Sequence, residues 1–490
     1  MENQQSQPGT SLVTERARPR RSRLLRRVVL ASAAVAGAGA LVGGVLMLLP
    51  GKPPAHRPPA PAPAPGPPRA LTAVTAGVPA ALSALAATIG DREARLRTHP
   101  ADAMAWAVLG TAYVEQGRLT ADVTNYPKAE RALRSSLRVK GEKNAEALDG
   151  LAALENARRD FAAAKDWGEQ ALRAAPKRWT SYPPLIEAYN GLGDYEATRK
   201  TLDKLMALKP GGAGRPAVMA QAAAVYRDRG WREDASAQLS DAAAIARTPA
   251  EQAGYLERSG QLAWERGDRE DALRHFEAAV RLDPEQSAAL AGQGRALAAL
   301  GRSGDALKAY QAALAKRPSP QYTLELGELY ESLGMGQEAR AQYELVRVRA
   351  ARDTAAGVDD ELLLGQLEAD HEDPADAVER LRDEYEWQPG IEVADALGWA
   401  LHRAGDDTQA LKFAVIATDK AHGGGVLSAL YAYHRGVIER ELDLDGSARR
   451  HLQQALRINP YFSPSRAASA RELLRELGEP GEDGMPPDVM

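Results

Sequence analysis

Three short motifs contain residue types that could carry out catalysis or bind a ligand. His422-Gly423-Gly424-Gly425 has the composition of an oxyanion loop, whose backbone N–H groups stabilise the charge that develops during acyl transfer. Gly211-Gly212-Ala213-Gly214 resembles part of a phosphate-binding loop, and His371-Glu372-Asp373-Pro374 begins like a zinc-binding H-E-x-x-H motif. Each motif is incomplete without residues elsewhere in the chain.

The partner residues that these motifs require are missing from the sequence. Acyl transfer needs a G-x-S-x-G nucleophile, and the nearest stretch, Gly301-Arg302-Ser303-Gly304, is one residue short. The glycine-rich stretch lacks the Lys-Ser/Thr of a phosphate loop, the second zinc histidine is absent, and the chain has no cysteine. We therefore predict that the protein is not an enzyme and has no catalytic, cofactor-binding or metal-binding residues.

The segment Asp353–Glu386 is strongly acidic. It contains thirteen carboxylates and only two basic side chains, Arg380 and Arg382. It lacks the alternating oxygen ligands and central glycine of a calcium loop. Such a run is typical of solvated helix faces, and the alternative is a surface that attracts a basic partner through its field.

Charge is distributed unevenly along the 490 residues. Residues 1–69 have a net charge of +8, whereas the remaining residues have a net charge of −12. Nucleic-acid binding depends on Lys and Arg that neutralise phosphates, so the acidic main body argues against a nucleic-acid partner. A content of 44% apolar and 26% charged residues is typical of a globular protein and excludes wholesale disorder.

The amino-terminal residues have the pattern of a membrane anchor. Residues 1–27 form a basic tail with seven arginines, and Val28–Leu49 contains no charged residue. As a helix this apolar segment would rise about 33 Å, enough to cross a bilayer core of roughly 30 Å. The arginines place the amino terminus in the cytoplasm by the positive-inside rule, so the repeat body would lie outside it. A cleaved signal peptide is the alternative.

Two further features adjoin this apolar segment. Residues 50–69 are rich in proline and should form an extended polyproline II spacer of up to ~60 Å. Gly39 and Gly43 form a G-x-x-x-G motif that would let two such helices pack as a weak homodimer. Glycine is also frequent in membrane helices generally, so the motif does not require a dimer.

The rest of the chain has an internal repeat with a period of about 34 residues, a length that is typical of stacked helical hairpins. Pro284 and Pro318 are one period apart, and the stretches before them superimpose. Each stretch has a small glycine, a second glycine seven residues later, then alanine, an aromatic residue, alanine and the closing proline. In the first stretch these are Gly260, Gly267, Ala272, Phe276 and Ala279. The spacing predicts two helices joined at the second glycine and ended by the proline.

This pattern resembles the tetratricopeptide repeat family, whose consensus is W-x2-L-G-x2-Y…A-x3-F…P. The match is most literal at Trp106, Leu109, Gly110 and Tyr113. About ten copies follow one another between Ala103 and Pro460. The resemblance implies an all-α fold, in which helical hairpins stack into a right-handed α-solenoid superhelix.

The remaining boundaries follow from these repeats. We expect a leading helix or cap within residues 70–102, repeats over 103–460, a capping helix within 461–478 and a disordered tail over 479–490. The repeat phase breaks at Pro210–Pro216, at Arg349–Gly357 and at His422–Gly425. The triple glycine is therefore interpreted as a loop between two repeats.

The resemblance also implies where a ligand would bind, because the first helix of each hairpin lines the concave groove in this family. The residues that would point into that groove are Asn190, Arg227, Glu257, Gln261, Trp264, Glu265, Arg295, Glu328, Glu331, Trp399 and His402. Trp264 lies one residue after the position at which the repeat expects its aromatic residue. It is therefore either an anchor for a ligand or a core residue of the next repeat.

Together these features predict a scaffold that binds a segment of a protein partner and is held in the membrane by Val28–Leu49. Because arginine outnumbers lysine by 49 to 13, the expected setting is a bacterial cell envelope, in the assembly or regulation of an envelope complex. The alternatives are a module that binds envelope glycan and an inert accessory subunit of an envelope enzyme.

Overall fold

A computed structural model of the protein describes residues 80–212, 214–420 and 425–478. Apart from one short 3-10 turn at Trp179–Ser181, every regular element in these ranges is an α-helix. The twenty-two helices are α1 Leu82–Thr98, α2 Ala103–Thr120, α3 Asn125–Lys140, α4 Ala145–Arg158, α5 Phe161–Ala174, α6 Tyr182–Gly191, α7 Tyr195–Ala207, α8 Gly214–Asp228, α9 Arg232–Ala244, α10 Pro249–Glu265, α11 Arg269–Leu282, α12 Ser287–Ala299, α13 Ser303–Lys316, α14 Pro320–Ser332, α15 Gly336–Ala355, α16 Glu361–His371, α17 Pro374–Trp387, α18 Ile391–Arg403, α19 Asp407–Thr418, α20 Ala429–Glu441, α21 Asp445–Ile458 and α22 Arg466–Leu477.

Helices α2 to α21 form ten consecutive hairpins. Within each hairpin the two helices pack against each other, and the second helix then packs against the first helix of the next hairpin. Helix α1 packs on α2, and α22 packs on α21. The predicted all-α solenoid is therefore confirmed. Helix α1 lies within the range expected for the leading helix, and α22 lies within the range expected for the cap.

The fifth hairpin, α10–α11, shows how the repeat sequence produces this packing. Helix α10 begins at Pro249, where the side chain of Thr248 accepts a hydrogen bond from the amide of Glu251 at 3.1 Å. Phe276 of α11 is fully buried and fills the space between two first helices. A Cβ atom at Gly292 would lie 2.4 Å from the Phe276 ring, so the helices approach this closely only with glycine there.

Successive turns of the solenoid also contact each other. Hydrogen bonds join residues that are 195 to 231 positions apart in the chain. The amide of Ile391 donates to the hydroxyl of Tyr195 at 3.1 Å, and the Asn459 side chain donates to the carbonyl of Trp264 at 2.8 Å. In these two contacts a turn within one hairpin meets the loop that follows the hairpin five repeats later. The turns of the solenoid are therefore stacked on one another.

The glycines between the two helices of a hairpin differ in whether they contact the next turn of the solenoid. Gly193 has a φ of +72°, and a Cβ atom there would lie 2.6 Å from the carbonyl oxygen of Pro389 in the next turn of the solenoid. Gly301 has nearly the same φ, +75°, but a Cβ atom there would meet no described atom within 4 Å. Both positions favour glycine for their backbone conformation, and only Gly193 also needs it for contact between turns.

Several sequence-based predictions lie outside the described residues. They concern the basic tail, the apolar segment Val28–Leu49, Gly39 and Gly43, the proline-rich spacer and the tail 479–490. Within the described ranges, none of the helices combines the length and the apolar character needed to cross a bilayer. The phase break at Arg349–Gly357 is mostly helical, because α15 extends to Ala355 and is longer than the other helices.

A candidate binding cavity on the inner face of the repeats

The eleven residues predicted to line a groove all lie on first helices of hairpins, namely α6, α8, α10, α12, α14 and α18. We call the surface formed by these first helices the inner face. Four of the eleven residues, Trp264, Arg295, Glu328 and Trp399, line a single cavity of about 560 Å³. A volume of this size is typical of ligand pockets, which measure about 300–1,000 Å³.

The cavity is bounded by six first helices, α10, α12, α14, α16, α18 and α20, by the second helix α13, and by the carboxy-terminal segment Pro460–Arg471. Its wall combines aromatic rings with charged groups. The aromatic residues are Trp264, Tyr310, Trp399, Tyr461 and Phe462. The charged residues are Arg295, Glu325, Glu328, Asp370, Asp395, His434 (when protonated), Arg466 and Arg471.

Two carboxylates in the wall are already neutralised by arginines. Arg295 forms an ion pair with Glu325, with 3.1 Å between Nε and Oε2, and the Tyr310 hydroxyl donates to the same oxygen at 3.0 Å. Arg466 donates to Oδ2 of Asp370, and Nε1 of Trp399 donates to Oδ1 of Asp370 at 2.7 Å. Charge-assisted bonds of this kind fix the carboxylates in place.

Glu328 differs from these carboxylates because it forms no ion pair with any described residue. Burial raises the pKa of Glu328 to about 7; Arg466 opposes the rise, and the charges of Asp370, Glu325 and Glu331 reinforce it. The side chain is only partly accessible to solvent. Around pH 7 Glu328 is therefore about half ionised, and the surrounding protein compensates the charge of the ionised form poorly.

Asp395 and His434 form a buried pair in the same wall, and each of them has one polar atom without a hydrogen-bond partner among the described residues. Nδ1 of His434 is 2.9 Å from Oδ2 of Asp395, and both side chains are only 4% exposed. The His434 ring stacks on Trp399 with 4.2 Å between ring centroids. The other polar atoms, Oδ1 of Asp395 and Nε2 of His434, have no hydrogen-bond partner among the described residues. Buried polar atoms without partners are costly and therefore uncommon.

The position of Trp264 is compatible with both of the roles that its sequence position left open. It packs against the hydrophobic cluster formed around Phe276, and it also lines the cavity. Trp399 is more deeply placed, at 7% exposure, within the cluster built from the last repeats. The expected aromatic position, Ala263, is buried beside Trp264.

The other predicted groove residues do not line the cavity, but several of them make polar contacts with one another and with Arg295 of its wall. Gln261 donates to Glu265 at 3.0 Å and accepts a hydrogen bond from Arg295, and Arg227 lies 3.2 Å from Glu265. Asn190 hydrogen-bonds to the carboxyl of Asp228, whose pKa is raised to about 6, chiefly by burial. The pKa of Glu257 is also raised by burial.

Two predicted residues make separate contacts. Glu331 is exposed and accepts a hydrogen bond from the Tyr343 hydroxyl at 2.9 Å. Nδ1 of His402 lies 2.6 Å from Asp407, and its ring is 4.9 Å from Trp399 between centroids. Neither residue lines the cavity.

Sequence reasoning missed the contribution of the carboxy-terminal segment. It treated residues 461–478 only as a cap, but Tyr461, Phe462 and Arg466 line the cavity on the inner face. The Arg269 guanidinium also lies 4.2 Å from the Tyr461 ring centroid. In the sequence, the aromatic pair Tyr461-Phe462, which lies between two prolines just after the last repeat, could have indicated that this segment contributes to the cavity.

The acidic segment Asp353–Glu386 is more than a solvated face. Arg380 pairs with Glu361 and Glu368, and Arg347 pairs with Glu372, so much of its charge is compensated locally. The same segment supplies Asp370 to the cavity. Glu328, Asp370 and His371 each place one potential metal-ligand atom within 4.8 Å of the others. Both oxygens of Asp370 are already hydrogen-bonded, however, so a metal ion would have to displace Arg466 or Trp399.

Comparison with known families agrees with the hairpins and their spacing. Residues 257–319 and 292–355 match the family model described as tetratricopeptide repeat. Residues 257–355, about a fifth of the chain, are therefore similar to tetratricopeptide repeats. The matched residues include the stretches before Pro284 and Pro318 that reveal the period in the sequence. Among the curated proteins, none has a sequence that matches the chain.

The chain is also similar to solved structures, of which three are given below. Human IFIT1, solved as a dimer with PPP-AAAA, is 13% identical, and the match covers 72% of this chain and 90% of that chain with a TM-score of 0.38. A tetratricopeptide repeat protein from Parabacteroides merdae is 15% identical, with 54% and 99% coverage and a TM-score of 0.33. Yeast Tom70 is 12% identical, with 75% and 96% coverage and a TM-score of 0.33. Because these TM-scores are low, the similarity to tetratricopeptide repeats rests on the family model over residues 257–355 and on the hairpins themselves.

Proposed function

We propose that the protein is a non-enzymatic interaction scaffold that binds a segment of a protein partner in the cavity on its inner face. The observation that supports this proposal most strongly is the cavity of about 560 Å³, which has tryptophan rings and charged groups in the same wall. Tryptophan and arginine are enriched among the residues that dominate binding energy at protein interfaces. Helical repeats of this kind commonly present such extended inner surfaces to partners.

The scaffold would be held at a membrane by Val28–Leu49, with the basic tail in the cytoplasm and the repeats on the other side. The length of the uncharged segment and the seven arginines on one flank support this arrangement. A bacterial cell envelope would be the setting, and the partner would belong to a complex assembled or regulated there.

The binding proposal is tested by crosslinking the full-length protein in cells and identifying what is captured by mass spectrometry. The informative variant is Trp264→Ala, which removes one ring from the cavity. The matched control is Trp231→Ala, because Trp231 is 42% exposed and is not among the residues that line the cavity. A partner that is captured by the wild type and the control but lost from Trp264→Ala supports the proposal. Equal capture by both variants contradicts it.

Membrane topology requires a separate experiment. Protease treatment of intact cells should degrade the repeat body if it lies outside the cytoplasm. Protection of the repeat body in intact cells, followed by degradation after lysis, would contradict the proposed orientation.

A further inference from the structure

We infer that the cavity binds a cationic side chain, lysine or arginine, that the partner segment inserts beside Glu328. The inference rests on the proposed function, because it names the chemistry of the segment that the scaffold binds. It predicts that the partner is basic at the point of contact.

The first argument is the balance of charge in the cavity wall. Among the carboxylates there, Glu325 pairs with Arg295, Asp370 pairs with Arg466, and Asp395 lies beside His434. Glu328 forms no ion pair with a described residue; Arg466 lowers the pKa of its carboxyl, but burial and the neighbouring carboxylates outweigh Arg466 and raise that pKa to about 7. A cation placed next to Glu328 would supply the missing charge.

The second argument is an unsatisfied acceptor in the same wall. Oδ1 of Asp395 is buried without a hydrogen-bond partner among the described residues. Asp395 is almost fully buried and belongs to the cavity lining. A lysine ammonium carries three donors and an arginine guanidinium carries five, so either group can serve more than one acceptor at once.

The third argument is that the cavity wall already holds one guanidinium from the chain itself. Arg466 enters from the carboxy-terminal segment, pairs with Asp370 and lies 5.6 Å from the centroid of the Trp399 ring. A carboxylate together with an aromatic ring is a favourable environment for a cation. Glu328 and Trp264 add a further carboxylate and a further aromatic ring to the wall of the same cavity.

The surroundings of the cavity also favour a cation. Elsewhere on the inner face, Asp228 and Glu257 have raised pKa values because they are buried, and nearby carboxylates contribute to both shifts. The cavity wall itself has four carboxylates and three arginines, and a wall with net negative charge attracts cationic groups and repels anionic ones. A metal ion fits less well, because Asp370, its second potential ligand, is already engaged by Arg466 and Trp399.

The test measures binding of fluorescein-labelled deca-arginine to the full-length protein in a nonionic detergent, by fluorescence anisotropy. Deca-glutamate serves as the probe of opposite charge. The informative variant is Glu328→Gln, which removes the charge and keeps the shape of the side chain. The matched control is Glu196→Gln, which removes one carboxylate from the exposed face of α7.

We expect Glu328→Gln to weaken deca-arginine binding by about tenfold or more, the usual size of a lost hydrogen bond to a charged group. Glu196→Gln should change it less than about twofold, as is usual for an exposed ion pair. Equal effects of the two variants, or equal binding of deca-glutamate, would overturn the inference. Binding that disappears when EDTA is added would assign Glu328 to a metal site and would also overturn it. Circular dichroism of each variant verifies that the fold is intact.

Failure of this inference is distinguishable from failure of the proposed function. If deca-arginine binding is independent of Glu328 but Trp264→Ala still loses the captured partner, the proposal that the cavity binds a partner is supported. The inference that a cationic side chain binds beside Glu328 is then wrong. If Trp264→Ala retains the partner, the cavity is not the binding site, and the scaffold proposal itself fails.

Discussion

The substitution Glu328→Gln should stabilise the protein in a pH-dependent manner. In the folded protein the pKa of Glu328 is raised from 4.5 to about 7, mainly because the carboxylate is buried. Between these two values the folded state binds more protons than the unfolded state, so the free energy of unfolding falls as the pH rises through that window. Below pH 4.5 this contribution is absent, and above pH 7 the loss is complete.

The size of the effect follows from the shift in pKa. One pKa unit corresponds to about 1.4 kcal/mol, so the ionised carboxylate lowers the free energy of unfolding by up to about 3 kcal/mol at pH 8. The side chain is partly accessible to solvent, and screening by water should bring the measured value closer to about 2 kcal/mol. Glutamine is neutral at every pH and avoids this cost.

The assay is urea denaturation of the wild type and the Glu328→Gln variant at pH 8 and at pH 5, followed by circular dichroism. We expect the variant to unfold at a higher urea concentration than the wild type at pH 8, and the two midpoints to converge at pH 5. The Glu196→Gln control should show no such convergence. A variant that is less stable than the wild type at pH 8, or a difference independent of pH, would refute the account of Glu328 as an uncompensated charge.

Three further predictions concern the packing of the repeats and the charges of the cavity wall. Gly193→Ala should lower the melting temperature more than Gly301→Ala, because both substitutions strain a left-handed turn but only the first forces a methyl group against Pro389; equal losses would show that the turns of the solenoid do not pack as described. Phe276→Ala should reduce the free energy of unfolding by about 3–5 kcal/mol in urea denaturation, because it empties a fully buried site; a loss below about 1 kcal/mol would contradict that packing. Arg466→Ala should strengthen deca-arginine binding in the anisotropy assay, since it frees Asp370; weaker binding would show that Arg466 itself helps to hold the probe.

The hairpins were predictable because their determinants are local. Gly260, Ala272 and Phe276 all lie within a single repeat, and each of them acts on its own hairpin or the next one. Gly267 marks the turn of the same repeat, although it also faces Asn459 and Pro460 in the next turn of the solenoid. A period of about 34 residues repeated along the chain then fixes the helical pairs, whatever the curvature of the array. The structure and the family match agree with that prediction.

The stacking of successive turns was not predictable in the same way. Contacts such as Tyr195 with Ile391 depend on the small rotation between neighbouring repeats, summed over five of them. No single repeat determines this accumulated rotation. The sequence showed the positive-φ glycines of the turns, but nothing in it distinguishes Gly193, which faces another turn, from Gly301, which does not.

The candidate site was predictable in part. The prediction that one face of each first helix lines a groove included Trp264, Arg295, Glu328 and Trp399, and these four residues line the cavity. The same rule could not find Arg466, because that side chain reaches the cavity from the closing segment rather than from a first helix of a repeat. It also could not show that Asp370, within an acidic run, is held by Arg466 while Glu328 has no such pair among the described residues.

The central claim is that the cavity receives a basic segment of a protein partner. It is tested most directly by placing a photo-crosslinking amino acid at Gln321, an exposed residue in the cavity lining, and at Arg340, an exposed residue of α15 outside it. Irradiation in cells and mass spectrometry of the crosslinked peptide identify what lies at each position. We expect a partner peptide that contains lysine or arginine to be joined to position 321 and absent from position 340. The same peptide at both positions, or an acidic peptide at position 321, would contradict the claim.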